Sequence, residues 1–230
     1  MRAVDILERM ASTFSCDCKF LITEDGSDSS QIVSELQSRF SNIIYLHHDQ
    51  RLGRGRALRE AWNKVEGDVY LYLDVDMATD LEKFDAFRKL VQLPERYDMV
   101  TGSRYVQESV TNRPMLRRLT SIAYNTLVRI IFRTGVHDHQ CGFKSFSKSL
   151  VKMLSREAKS DSWFWDTEVI VLAKKLGFSI TEIPIYWTEQ KGKSTPLRRL
   201  IKDLWIHGAG LVALTWRVYG EGFRKSTNQQ

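Results

Sequence analysis

Asp74 and Asp76 stand two residues apart just past Val69–Leu73, a run of apolar residues. Two carboxylates in a D-x-D at the end of a buried strand reach one cavity if the chain turns. Their repulsion there is relieved by a hard divalent cation, Mg²⁺ or Mn²⁺, which takes oxygen ligands and bridges phosphate oxygens of a substrate. Three more polar clusters follow apolar runs in the same way. Glu24-Asp25-Gly26-Ser27 follows Lys19–Thr23, Asp49-Gln50-Arg51-Leu52-Gly53-Arg54-Gly55 follows Asn42–His47, and Gly102-Ser103-Arg104 follows Met99–Thr101. Each has an ordinary explanation alone, since Asp-Gly-Ser makes a good turn and Gly-x-Gly eases a tight one. Together they mark one rim, the carboxyl ends of the strands, where open parallel α/β sheets bind ligands. Two phosphate-loop patterns fail: Gly192-Lys193-Ser194 would need glycine where Trp187 stands, and Gly53-x-Gly55 meets Leu58 where a dinucleotide fingerprint needs a small residue.

The elements that must carry these clusters alternate. Helical spacing is expected over 3–11, then at Ile32, Leu36 and Phe40 behind an Asp28/Ser29 cap, then at Ala57, Leu58, Ala61, Trp62 and Val65. Leu81–Val91 reads as a helix with Phe84, Phe87 and Val91 on one side. Strands and helices taking turns predict a mostly parallel sheet with both faces covered. Beyond it come a long helix near Pro114–Thr134, a strand at Phe143–Phe146, a helix near Asp166–Leu176 and an extended edge segment, Ser179–Trp187, around Pro184. The tail from Pro196 to Tyr219 reads as helical, with Leu197, Leu200, Ile201, Leu204 and Trp205 on one stripe and a break near Gly208 and Gly210. Residues 1–195 are read as one domain and 196–230 as a helical extension.

The 230 residues carry 34 Lys+Arg against 28 Asp+Glu, with 43% hydrophobic and 11% aromatic residues, which excludes a disordered chain. The longest charge-free stretch of the tail, Leu204 to Trp216, falls short of the roughly 20 apolar residues that cross a bilayer, so no span is expected. The opening MRAVDILERM lacks the apolar core of a secretory signal. Cys16, Cys18 and Cys141 form neither a disulfide framework nor a zinc-spaced set, which fits a reducing cytosol. Charge is uneven: residues 65–100 hold nine acids and four bases, whereas 104–133 hold six Arg and one Glu. A basic stretch can meet nucleic acid, anionic lipid or phosphorylated ligands. Nucleic acid is not favoured, because the aromatics sit at apolar positions instead of alternating with Lys/Arg.

The blocks E-D-G-S-D-S, R-L-G-R-G-R-A-L, L-D-V-D-M-A-T-D, T-G-S-R, H-Q-C-G-F-K-S-F, W-F-W-D-T-E-V and E-I-P-I-Y-W-T-E-Q-K-G-K-S, in order across roughly residues 15–200, resemble the family 2 inverting glycosyltransferases. Within that family the likeness is to the dolichyl-phosphate β-glucosyltransferases and dolichyl-phosphate mannose synthases. The resemblance implies a GT-A fold, α/β with a mostly parallel central sheet flanked by helices. It also implies a nucleoside-diphosphate sugar donor, UDP-glucose before GDP-mannose, and a polyprenyl (dolichyl) phosphate acceptor. By motif, Asp25 would contact the base, Asp74 would sit by the ribose or sugar, and Asp76 would hold Mg²⁺ or Mn²⁺ on the diphosphate. Arg104 would help bind phosphate, while Gln140 and Lys144 would line the sugar and acceptor side. Asp166 and Glu168 match an acidic motif, Asp166 being a helix N-cap in the alternative. Gly26, Gly53, Arg56 and Arg117 fall on the substrate-binding side of these blocks.

A phosphate monoester has a second pKa near ~6 and is already largely ionised at neutral pH. Such an acceptor needs no general base, and cations should crowd its side of the site. Arg104, Arg113, Arg117 and Arg118 are candidates, since Arg suits paired oxygens. The isoprenoid tail implies contact with a membrane surface, and the protein is expected to be peripheral at the cytoplasmic face. The stripe at Leu197–Trp205 could lie in that interface, although covering the core is the more ordinary job for such a helix. Cys141 reads as a buried small hydrophobe. Family members open with a strand of the V-S-V-V-I-P-x-Y-N-E kind, whereas Met1 leads straight into a helical pattern, so an unpaired slot beside a central strand is expected. The alternatives are a family 2 transferase acting on a hydroxyl in polysaccharide or glycolipid synthesis, or an inactive shortened member.

Overall fold

A computed structural model describes residues 2–13, 17–26, 30–74, 76–188 and 197–220, with the backbone alone at 2–4, 25, 30 and 197–202. The helices are α1 (Arg2–Thr13), α2 (Ser30–Arg39), α3 (Arg54–Trp62), α4 (Ala86–Gln92), α5 (Met115–Phe132), α6 (Lys148–Glu157), α7 (Trp165–Leu176) and α8 (Leu197–Thr215). The strands are β1 (Phe20–Asp25), β2 (Ile43–His48), β3 (Val69–Leu73), β4 (Thr79–Asp80), β5 (Met99–Ser103), β6 (Val110–Asn112), β7 (Phe143–Ser147), β8 (Ile180–Pro184) and β9 (Tyr186–Thr188).

Four strands in the order β3-β7-β5-β8 make the central sheet. β5 and β8 run parallel, as expected, and β8 is an edge strand. β7 enters antiparallel to both neighbours, so the sheet is mixed. The pleat sorts side chains to two faces. Tyr70, Tyr72, Met99 and Phe146 face the larger core under α5, α6, α7 and α8, whereas Leu71, Leu73, Val100 and Phe143 face a second core under α4, with Ile6, Leu7 and Met10 of α1 packed against it. α7 lies between sheet and helices, and its residues from Trp165 to Ala173 are all buried. It stops at Gly177, whose φ of 89° is the left-handed cap glycine supplies cheaply.

β1 and β2 form a separate parallel pair, with a small core of Leu36 and Ile43. Among the described residues no strand joins this pair to β3, which is bonded on one side only, to β7.

The structure corrects several expected elements. Ile32 is exposed, and Val33 and Leu36 make the buried face of α2. α4 starts at Ala86, because Phe84 and Asp85 take left-handed φ values of 58° and 53°, which breaks the expected helix; Ala86, Phe87 and Leu90 are its buried face. α6 was not anticipated; its N-cap is Ser147, whose hydroxyl accepts from the Leu150 amide. α8 runs unbroken through Gly208 and Gly210. Leu204 and Trp205 are 62% and 76% exposed, so that part of the stripe does not cover the core. Leu197, Leu200 and Ile201 have side chains outside the described residues, as do Cys16, the Asp28/Ser29 cap and Gly192-Lys193-Ser194.

Candidate active site

Tyr72 on β3 and Lys144 on β7 are register partners and point to the α7 side of the sheet. There they meet the first turn of α7. The Lys144 ammonium donates to Asp166 Oδ1 at 2.7 Å and to the Cys141 carbonyl. The other Asp166 oxygen accepts from Arg54 Nη1 at 2.8 Å, and Arg54 Nη2 donates to Asp74 Oδ1 at 2.6 Å. Tyr72 OH donates to the same Asp74 oxygen at 2.8 Å. Arg54 lies flat on Trp163, 3.4 Å from the ring centre. The outcome is a chain of alternating charge, Lys144, Asp166, Arg54, Asp74, laid across the end of β3.

Electrostatics follow from this layout. Burial opposes the charge on Arg54, but Asp166, Tyr72 and Asp74 outweigh it and the guanidinium pKa is raised. Asp74 has its pKa raised, chiefly by burial and also by the nearby charges of Asp166 and Asp76, with Arg54 pulling the other way. Burial, then Asp166, lifts the Tyr72 phenol well above its usual range. Lys144 and Asp166 were expected in the site and are there together. Asp166 is not an N-cap: Phe164 holds that position, and Asp166 is the second residue of α7, with both its oxygens bound to cations.

The two carboxylates of the D-x-D stand in different surroundings. Asp74 is held by its amide to the Gly142 carbonyl at 2.9 Å. Any Cβ at Gly142 would fall 1.9 Å from Asp74 Oδ2. Asp76 lies exposed, on a turn in which it accepts from the Ala78 amide. The two carboxylates sit close enough for Asp76 to raise the proton affinity of Asp74. Among the described residues no three His, Cys, Asp or Glu side chains cluster as a full metal site. A pair of carboxylates fits Mg²⁺ or Mn²⁺ that draws its remaining ligands from a diphosphate and water.

Several expected site residues stand elsewhere. Arg56 is on the exposed side of α3, paired with Glu60 at 2.9 Å, and Arg54 takes the inward place. Glu168 accepts from the Lys159 and Ser160 amides and from Arg217, so it fastens the 159–160 turn and the end of the C-terminal helix. Arg104 is committed to Asp138 through Nε and Nη2 at 2.7 and 2.8 Å, and the pair is buried, which removes it from direct phosphate contact. Gly53 and Gly55 serve close approach: a Cβ at either would fall 2.3 or 2.1 Å from the Asp161 or Ser160 carbonyl. Gly26, at φ +72°, ends β1 beside Arg51, and its amide donates to the His48 carbonyl; the Asp25 side chain lies outside the described residues. Cys141 is buried, its thiol pushed up to about 12 mainly by burial.

Arg113 and Arg104 flank the Trp187 ring at 5.5 and 5.6 Å. Burial, then the charges of Arg104 and Arg117, lowers the Arg113 pKa, so three arginines crowd one region. Gln140 reaches His207 of α8, its amide nitrogen 3.2 and 3.4 Å from the two ring nitrogens. Arg54, Trp163, Gly142 and His207 were missed by sequence reasoning; all but His207 lie inside the matched blocks.

The chain matches the profile described as glycosyl transferase family 2 over residues 3–154. It is 36% identical over 215 residues to glycosyltransferase AglD of Haloferax volcanii, covering 92% of this chain and 34% of that protein. It is 31% identical over 189 residues to the dolichyl-phosphate β-glucosyltransferase ALG5A of Trichomonas vaginalis, covering 80% and 58%. The chain thus spans about a third to three fifths of these relatives. Among solved structures, glucosyl-3-phosphoglycerate synthase of Mycobacterium tuberculosis, in complex with Mn²⁺, UDP and glucosyl-3-phosphoglycerate, superposes with a TM-score of 0.63 at 15% identity, covering 87% of this chain and 69% of that one. The shared architecture is the GT-A fold.

Proposed function

This chain belongs to glycosyl transferase family 2, and from that premise we propose that it moves a hexose from a nucleoside-diphosphate sugar, UDP-glucose first, to a polyprenyl phosphate with inversion. The observation that carries the reading is that Arg104 and Arg113 both approach the Trp187 ring, at 5.6 and 5.5 Å, with Arg117 near enough to act on Arg113, a basic region that suits a phosphorylated acceptor. The dolichyl-phosphate β-glucosyltransferase relatives support that acceptor, and the Mn²⁺ and UDP in the neighbouring structure support a metal-assisted nucleotide donor.

The reaction forms a bond between a phosphate oxygen and the anomeric carbon while the bond to the diphosphate breaks. The acceptor oxygen is ionised before it attacks, so no side chain need remove a proton. That agrees with an Asp166 carboxylate whose two oxygens are both bound to cations. Asp76 and Asp74 would hold the divalent cation, which neutralises charge growing on the leaving diphosphate. Asp74 is kept in place by Arg54, Tyr72 and the closeness of Gly142. Arg113 and Arg117 would hold the acceptor phosphate, and Arg104, locked on Asp138, supplies field instead of contact.

A lipid acceptor puts the protein against a bilayer, peripherally and at the cytoplasmic face. No helix among the described residues is long and apolar enough to cross one. α8 instead presents Leu204, Trp205 and Val212 outward, followed by exposed Trp216 in the next turn, and α5 also exposes Met115, Leu116 and Leu119. Aromatic and aliphatic side chains next to Arg117 and Arg118 suit an anionic lipid surface.

The test supplies UDP-glucose or GDP-mannose with Mn²⁺ and polyprenyl phosphate, and identifies the lipid product by mass spectrometry. Polyprenyl-phosphate hexose is expected from the unaltered chain and none from D76A, whose circular dichroism stays unchanged. Near-normal transfer by D76A removes the metal assignment; transfer only to a simple sugar alcohol selects the hydroxyl-acceptor reading.

A further inference from the structure

α8 shows two faces of opposite character. Trp205 and Val212 point out, while Leu211 and Leu214 are buried, and the turn Trp216–Gly220 that follows continues the division with Trp216 exposed and Val218 buried. His207 falls on the buried side, four residues before Leu211, where a purely packing helix would carry another aliphatic residue. It has been placed among aromatic rings, edge-on to Tyr124 with centroids 5.1 Å apart and tilted to Phe164 at 6.2 Å. Among the described residues its side-chain hydrogen-bond partner is Gln140. Tyr124 in turn is bonded through its hydroxyl to Thr167, next to Asp166. One turn on, Gly210 lets the helix close on Phe164: a Cβ there would sit 2.5 Å from the ring.

α8 is thereby held over the segment that carries Trp163 and Asp166, and His207 meets Gln140, the residue before Cys141 and Gly142, whose backbone lies against Lys144 and Asp74 in the candidate site. Asp203 and Asp166 are the charged groups that bear on the imidazole, and burial keeps its pKa below the ordinary value. A neutral ring has one acceptor nitrogen, which can take one N–H of the Gln140 amide.

We propose that His207 is a positioning residue that orients Gln140 for the acceptor, so that the helix facing the lipid also sets the acceptor side of the site. This rests on the transfer to polyprenyl phosphate proposed above. Phenylalanine at 207 keeps a ring against Tyr124 and Phe164 and removes both nitrogens; asparagine keeps a polar partner and removes the ring. In H207F the KM for polyprenyl phosphate is expected to rise about tenfold, the worth of one neutral hydrogen bond, with the KM for the sugar nucleotide and the thermal midpoint unchanged. H207N is expected to restore most of the affinity, and H207F in a Q140A background to add nothing to Q140A alone. Additive effects in the double variant, or a rise in both KM values together, overturn the proposal. Should the unaltered chain transfer nothing to polyprenyl phosphate, the functional reading falls and the proposal with it; normal transfer with an unaffected H207F removes the proposal alone.

Discussion

Gly142 shows how a residue without a functional group can position a candidate site carboxylate. Its φ is unremarkable and its value is space, since the Asp74 carboxylate occupies the volume a methyl group would need. In G142A the carboxylate must swing away from Arg54 and Tyr72 by an ångström or so, a displacement that costs about 100-fold in turnover when a reacting group is held by it. Steady-state kinetics of G142A are expected to show that loss in kcat with a folded protein by circular dichroism; turnover within threefold of the unaltered chain would mean that Asp74 tolerates relocation. The Q-C-G-F-K block was legible as a block, but the reason for its glycine was not, because the partner lies 68 positions away. Arg54 and Arg56 illustrate the same limit. Both stand in R-L-G-R-G-R-A-L, two residues apart and so roughly on opposite sides of a helix, and which one faces in depends on a contact with Asp74, Asp166 and Trp163 that spacing does not specify. Asp166 and Glu168 are separated likewise, one serving the site and the other the 159–160 turn.

At the scale of elements, legibility followed the source of each element's stability. Strands β3 and β5 were readable because their apolar runs meet a local criterion, and most of β9 lay within the extended segment read at Ser179–Trp187, whereas β6 exists only as a partner, Val110–Asn112 against Tyr186–Thr188. α4 was read too long because the left-handed turn at Phe84 and Asp85 leaves an apolar pattern intact. α8 was read as broken because glycine lowers helix propensity by about 1 kcal/mol, yet Gly210 is required by the Phe164 ring. The stripe at Leu197–Trp205 was read as interface or, more ordinarily, core, and the exposure of Leu204 and Trp205 has a consequence. Trp205 and Trp216, 76% and 68% exposed, are expected to anchor the chain on vesicles. Replacing both with serine should abolish flotation with anionic liposomes and leave the helix content unchanged. Equal flotation of the two proteins would retire the membrane face and point to a second copy of the chain as its occupant, visible as a concentration-dependent mass in sedimentation.

For the whole molecule, the decisive feature is that the sheet comes in pieces. β5 is bonded on both sides and all five of its residues are buried, so its amides open only with the main core. The β1–β2 pair has two strands and a small core, and such a unit is marginal by itself. It is expected to open locally at a free energy well below global unfolding. Gly26 and the Asp25 position lie at the end of that weaker unit, while Asp74, Asp76 and Asp166 are held by the stronger one. A donor that spans both would have to order the first against the second, and part of its binding energy would be consumed in doing so. Hydrogen exchange measures this directly. In the free chain, amides of Phe20–Asp25 and Ile43–His48 should exchange orders of magnitude faster than those of Met99–Ser103, and saturating UDP-glucose with Mn²⁺ should slow the first group with little change in the second. Protection of β1 and β2 that is already equal to β5 without donor would show that the two pieces act as one body, and the donor would then gain nothing by bridging them.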